Sequence, residues 1–251
     1  METAAEIKAR GAQLQANLDA AAKMTGDYWS VPLPERLASG AWRIERFTLP
    51  DPLPMDVQLQ NFARAAGGDP EFVVMPGTYH RLVGPCGDDG EDAVMMSNTQ
   101  MEYRTNIDFV NAAKGDVFIA GLGIGMLFGP LFANPHVTSI TVVEIEQDVI
   151  NMVAPHYLKM AELPRAPRLS IHHNDAMNYV PDHAFDAIML DIWPTASPDN
   201  HVQMDDMKRY YGQFLRPGGY IECWSEKLSR RAEARMDAMI AHIKRVREIT
   251  A

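Results

Sequence analysis

From residue 116 onward, short runs of apolar and β-branched residues alternate with longer segments of mixed polarity. The runs are DVFIA (116–120), SITVVE (139–144), RLSIHH (168–173), FDAIMLD (185–191) and GYIECW (219–224). Runs this short and this apolar suit strands covered on both faces, and the segments between them are long enough to cross over as helices. The pattern predicts an α/β fold, a doubly wound and mostly parallel sheet with helices on both faces. The tail RAEARMDAMIAHIKRVREI (231–249) reads as an amphipathic helix lying against that sheet.

The first part of the chain is patterned differently. Residues 2–24 place Ile7, Leu14, Leu18, Ala21 and Ala22 near one face at helical spacing, which predicts an N-terminal amphipathic helix. Residues 29–54 are rich in proline, and there only WRIERFTL (42–49) alternates as a strand does. A short helix is expected near residues 57–66. After it EFVVM (71–75), YHRLVG (79–84) and AVMMS (93–97), divided by the turn PGT and the loop PCGDDGED, predict a small antiparallel β meander. The organisation expected is an extension over residues 1–92, helix plus meander, followed by a sheet domain over 93–251.

With 251 residues, 47% of them hydrophobic, the chain can bury a large core. A formal charge of −10 argues against a dedicated nucleic-acid binder, which neutralises phosphates with a basic face. Two distant cysteines, Cys86 and Cys223, make neither a disulfide framework nor a Cys-x-x-Cys metal site, so a reducing, cytoplasmic setting is expected. The opening residues lack the apolar core of a signal peptide, and no run of 18 apolar residues occurs, so no membrane partner is expected.

In open parallel sheets, ligands bind beyond the carboxyl ends of the strands. After the first such strand comes Gly121-Leu-Gly-Ile-Gly-Met126, three glycines that permit a tight turn and a close ligand approach, with Met126 where the dinucleotide fingerprint has its third glycine. Met126, Leu127, Phe128 and Leu131 behind the loop read as helix core. Glu144 ends the second strand, 144 − 121 = 23 residues beyond the first glycine, the spacing of a carboxylate that accepts from ribose hydroxyls. Ile145 can cover one face of an adenine, and Asp175, after the third strand, can accept from its exocyclic amine. Asp191 and Trp193 follow the fourth strand into the same rim. The adjacent His172 and His173 face opposite ways on a strand, and no metal site is expected.

The passages GLGIGM, ITVVEIEQDVINMVAPHY, IHHNDAMNYV, FDAIMLDIWP and LRPGGYIECW resemble, in order and spacing, the Rossmann-like class I S-adenosylmethionine-dependent methyltransferases, in the branch similar to spermidine synthases. The upstream MMSNTQMEYRTNIDFV resembles a segment of small methyltransferase-like proteins, many encoded by phages. The resemblance covers residues of about 93 to 226. It implies S-adenosylmethionine as cofactor, with Gly121, Gly123 and Gly125 around its methionine part, Glu144 on the ribose, and Asp175 with Ala176 reading the adenine. Asp191 is the implied base or orienting acid, with Trp193 and Glu102 beside the acceptor. Thr99, like Glu102, approximately matches a position that neighbours the active site in spermidine synthases, and Tyr79 and His80 on the meander are further candidates for the pocket wall. Spermidine synthases carry carboxylates where this chain has Ile124 and Pro194, so a polyamine loses its counter-charges here.

Three readings follow. The first is methyl transfer to a small-molecule or peptide-like acceptor, with the N-terminal region as lid. The second is aminopropyl transfer or another reaction consuming the sulfonium. The third is a non-catalytic module whose surface serves a partner. A homo-oligomer is compatible with each.

Overall fold

The fold is described from a computed structural model, covering residues 31–67, 69, 72–86 and 90–250. The helix expected over 2–24 lies outside these residues. Two sheets share the chain. The first is an antiparallel meander of β1 (Arg36–Ser39), β2 (Trp42–Leu49), β3 (Gly77–Gly84) and β4 (Ala93–Ser97), in the order β1-β2-β3-β4. Helix α1 (Met55–Gly67) bridges β2 and β3. Because β4 pairs with β3, the expected division at residue 92 falls inside this sheet.

Helix α2 (Gln100–Ala112) leads from the meander into the second sheet. Its strands are β5 (Gly115–Ala120), β6 (Val137–Glu144), β7 (Arg168–His173), β8 (Phe185–Leu190) and β9 (Leu215–Cys223), all parallel, in the order β7-β6-β5-β8-β9. Helices α3 (Phe128–Ala133), α4 (Gln147–Ala161) and α5 (His201–Tyr211) cross between them, and α6 (Glu226–Thr250) follows β9. The period of two is visible within β5. Val117 and Ile119 enter the core shared with the meander, while Phe118 and Ala120 enter the core on the opposite face. There the Phe118 ring stacks on Tyr211, centroids 4.9 Å apart. Met126, Leu127, Phe128 and Leu131 are buried as the pattern requires.

Three expectations are corrected. The segment 36–39 is a strand, β1, although its short polar run RLAS gives no alternation to read; it forms as the partner of β2. The apolar residues 72–75 belong to neither sheet. Side chains satisfy their backbone instead: the Asn61 amide both donates to the Val74 carbonyl, at 2.6 Å, and accepts from the Val74 N–H, at 2.9 Å, as a neighbouring strand would. Arg104 and Arg64 donate to the carbonyls of Val73 and Phe72. The tail helix, third, does not lie against the sheet beyond its first turns. Leu228 and Ser229 are buried, while Met236, Met239, Ile240 and Ile243 are exposed.

The meander is docked over the carboxyl end of the parallel sheet. Ser39 Oγ donates to Asp148 Oδ1 at 2.6 Å and the Trp42 indole to Glu146 Oε2 at 3.2 Å, both at the start of α4. This contact turns an open strand end into a roofed cavity.

Candidate active site

The chain runs from β5 outward to β6 and β7, then returns to β8 on the other side of β5. The crevice at such a reversal is where open α/β sheets take their ligands. Here it is a cavity of about 540 Å³, within the usual range for small-molecule sites.

The glycine loop is shaped first by the protein itself. The Gly121 N–H donates to the Val143 carbonyl and the Asp191 N–H to the Ala120 carbonyl, both at 2.8 Å, so the two ladders run past the strand ends and bring Gly121 against Asp191. A Cβ on Gly121 would lie 2.0 Å from the Asp191 carbonyl oxygen, and at φ +95° a side chain is strained in any case. At Gly123, φ +51°, the neighbour is the flexible side chain of Met96, reaching over from β4. Both glycines line the cavity. Gly125 is placed differently: it packs on the Tyr157 ring and faces a small recess behind the loop, shared with Asn106 and Asp191.

Glu144 ties the end of β6 to that loop. Its Oε2 accepts the Leu122 N–H at 2.7 Å and its Oε1 accepts the Glu146 N–H at 2.8 Å. The Ile145 N–H donates to it as well, so of a carboxylate's roughly four acceptor positions one remains for a hydroxyl in the cavity. Burial pushes its pKa up, against the backbone donors that hold it down. Asp175 caps its own turn, accepting from the Met177 N–H at 2.8 Å and the Asn178 amide at 2.7 Å. Ala176 is buried beside it, and Ile145, half exposed, stands across the rim.

Two further acids face the cavity from opposite elements. Asp191 follows β8; burial, and then the charge of Glu144, push its pKa up to about 7. Glu102 sits in the first turn of α2 and is only 4% exposed. Burial, and then the charge of Asp191, push it up to about 8, while the Ser97 N–H and the Trp224 indole donate to it. Trp193 is buried and oriented by its indole N–H, which donates to Gln203 Oε1 at 2.6 Å.

Nine of the ten site residues expected from sequence thus line one cavity; Gly125 stands behind it. Thr99 and His80 are not on the wall, and Tyr79 donates instead to the Met75 carbonyl at 2.9 Å. An N-terminal lid was expected, but not the residues that form it: Trp42, Met95, Met96 and Cys86 line the cavity from the meander side, and Trp224 and Glu146 line it from the parallel sheet's side. Trp42 and Ile44, both buried on alternate positions of β2, give an inward face in sequence, but not its target about a hundred residues away. Among the described residues, no group of three or more His, Cys, Asp or Glu is arranged for a metal ion, and no helix is long and apolar enough to cross a membrane.

No protein-family profile matches the chain, and no curated protein does. Solved structures similar to part of it include an S-adenosylmethionine-dependent methyltransferase from Clostridium acetobutylicum ATCC 824, 21% identical over 47% of this chain and 45% of that one, TM-score 0.32. Others are DhpI in complex with SAH, 19% identical over 48% and 52%, TM-score 0.34, and the glycopeptide N-methyltransferase MtfA, 19% identical over 48% and 51%, TM-score 0.35. The chain spans about half the length of the structures it matches.

Proposed function

We propose that the protein is an S-adenosylmethionine-dependent methyltransferase. The observation that carries this reading is the meeting, in one roofed cavity at the strand ends, of Gly121 and Gly123, Glu144, Asp175 with Ala176, and Asp191. The donor set fits a nucleoside sulfonium. Glu144 keeps an acceptor position for a ribose hydroxyl, Asp175 and Ala176 are suited to read an adenine edge, and Gly121 with Gly123 keeps side chains out of the space beside Asp191.

S-adenosylmethionine supplies a methyl group activated by its positive sulfur. The chain's part is alignment and exclusion of water, which lowers the entropic share of the barrier. Trp193, Trp42 and Trp224 wall the cavity against solvent. Asp191, held near neutrality at about 7, is the group suited to take a proton from the acceptor. Glu102 faces the same cavity from α2 and adds a second acid to it.

Competition binding with S-adenosylmethionine and its decarboxylated form tests the reaction class. Methyl transfer predicts that the intact form binds at least as tightly; clear preference for the decarboxylated form would assign aminopropyl transfer instead.

A further inference from the structure

The charge on the cavity wall is one-sided. Its acids are Glu102, Glu144, Glu146, Asp175 and Asp191, and no described lining residue is Lys, Arg or His. Four of these acids have donors already: Glu144 has backbone N–H groups, Asp175 has the Met177 N–H and the Asn178 amide, Glu146 has the Trp42 indole, and Glu102 has the Ser97 N–H and the Trp224 indole. Asp191 differs, since among the described residues no hydrogen bond reaches its carboxylate. The charges acting on Glu102 and Asp191 are negative, Asp191 on Glu102 and Glu144 on Asp191. Burial and these like charges disfavour the ionised form of both carboxylates, and a cation received beside them favours it.

A second observation points the same way. Asn106 is 1% exposed, and its Oδ1 has no hydrogen-bond partner. It lines the recess that Asp191 and Gly121 share, while its Nδ2 donates to the Glu102 carbonyl at 2.8 Å. Asn106 thus leaves an acceptor unmet in the recess behind the loop, at the Asp191 side of the cavity.

We propose that the acceptor substrate of this cavity is an amine bearing a single ammonium group, received between Glu102 and Asp191. The proposal rests on the methyl-transfer reading, which leaves room for that charge: S-adenosylmethionine carries one net positive charge, against two carboxylates. Trp193 and Trp224, also on the wall, offer ring faces that attract a cation. The carboxylates that spermidine synthases carry for a polyamine are replaced here by Ile124, which is buried off the wall, and by Pro194. An anionic acceptor meets only negative charge.

The proton account closes. The ammonium gives one proton to the Asp191 carboxylate, leaving a neutral amine and a carboxylic acid. The freed lone pair forms the new N–C bond as the C–S bond breaks; that bond's electron pair passes to sulfur, and the positive charge passes to nitrogen.

The test uses protein saturated with S-adenosylhomocysteine, titrated with 2-phenylethylamine, 2-phenylethanol and 3-phenylpropionate, binding being followed by calorimetry and indole fluorescence. The amine should bind at least about tenfold more tightly than the alcohol, and the carboxylate most weakly. Glu102→Gln should weaken the amine about tenfold and leave the alcohol unchanged. A wild-type pH series guards against a variant that does not fold. Amine affinity should rise between pH 6 and pH 8 as Asp191 and Glu102 ionise, the other titratable groups on the wall being Glu144, Glu146, Asp175 and Cys86. Equal binding of amine and alcohol, no binding of the amine, a preference untouched by Glu102→Gln, or a flat pH series would overturn the proposal. Failure of S-adenosylhomocysteine itself to bind would instead remove the methyl-transfer reading.

Discussion

The backbone N–H of Ile124 donates to Met96 Sδ at 3.2 Å. This one contact joins the roof to the glycine loop, because Met96 belongs to β4 of the meander and Ile124 to the loop after β5. A thioether is a weak acceptor, so a ligand group can take its place on that N–H at small cost. Met96→Ala should therefore bind S-adenosylhomocysteine within about threefold of wild type. Met96→Trp, which fills the space above Gly123, should bind more than about tenfold more weakly with an unchanged melting temperature. Full affinity in the tryptophan variant would show that the space above Gly123 is not used.

Gly121 and Gly123 should fail in different ways. A methyl group on Gly121 meets the Asp191 carbonyl, which the β5–β8 ladder holds in place, so Gly121→Ala should lower the melting temperature by several degrees. At Gly123 the same methyl meets only the Met96 side chain, and the left-handed backbone costs about 1 kcal/mol. Gly123→Ala should remain folded, and Gly123→Val should lose S-adenosylhomocysteine. Melting curves alongside titrations separate the two; equal losses of stability would refute the distinction.

Glu144→Gln replaces a carboxylate that accepts from both Leu122 and Glu146. The amide offers one oxygen, and its NH2 must face one of the two N–H donors. Affinity for adenosine should drop at least about tenfold, with a smaller loss for methionine, measured by competition. An adenosine affinity equal to that of wild type would place the ribose elsewhere.

Stability should fall as pH rises toward 8 in the ligand-free protein. Glu102 and Asp191 stand at about 8 and 7, above their ordinary 4.5 and 3.8, so the folded chain holds these protons more tightly than the unfolded chain does. Their contribution is fully present below the ordinary values and is lost as pH rises through 7 to 8. Burial raises Glu144 and Glu222 in the same sense. His80, lowered by burial, acts oppositely, but only below its ordinary 6.5. Between pH 6.5 and 8 the melting temperature should drop by about 5 °C, and Glu102→Gln should flatten the slope. A melting temperature that rises over this interval would contradict the buried acid pair.

The parallel sheet was legible because strands buried on both faces need apolar runs, and β5, β6 and β8 carry them as VFIA, VV and AIML, with their polar residues mostly near the ends. The acids at the strand ends were legible because chain order fixes them relative to the glycines. The segment 72–75 was misread because its apolar side chains suit a strand, while the partner for its backbone is a single asparagine, Asn61, whose role depends on tertiary placement. The cavity's aromatic lining was hidden for a similar reason. Trp42 reaches Glu146 and Trp224 reaches Thr105 across more than a hundred residues, and no local pattern records such a meeting. The tail helix shows the converse: its apolar stripe is plain in sequence, yet Met236, Met239 and Ile240 stay exposed.

The most direct measurement is a calorimetric titration of the purified protein with S-adenosylhomocysteine, with NAD as control. A single site with a dissociation constant of about micromolar order, lost in Gly123→Val and weakened in Glu144→Gln, is the result expected for a nucleoside-sulfonium cavity. No heat with S-adenosylhomocysteine, or tighter binding of NAD, would contradict it.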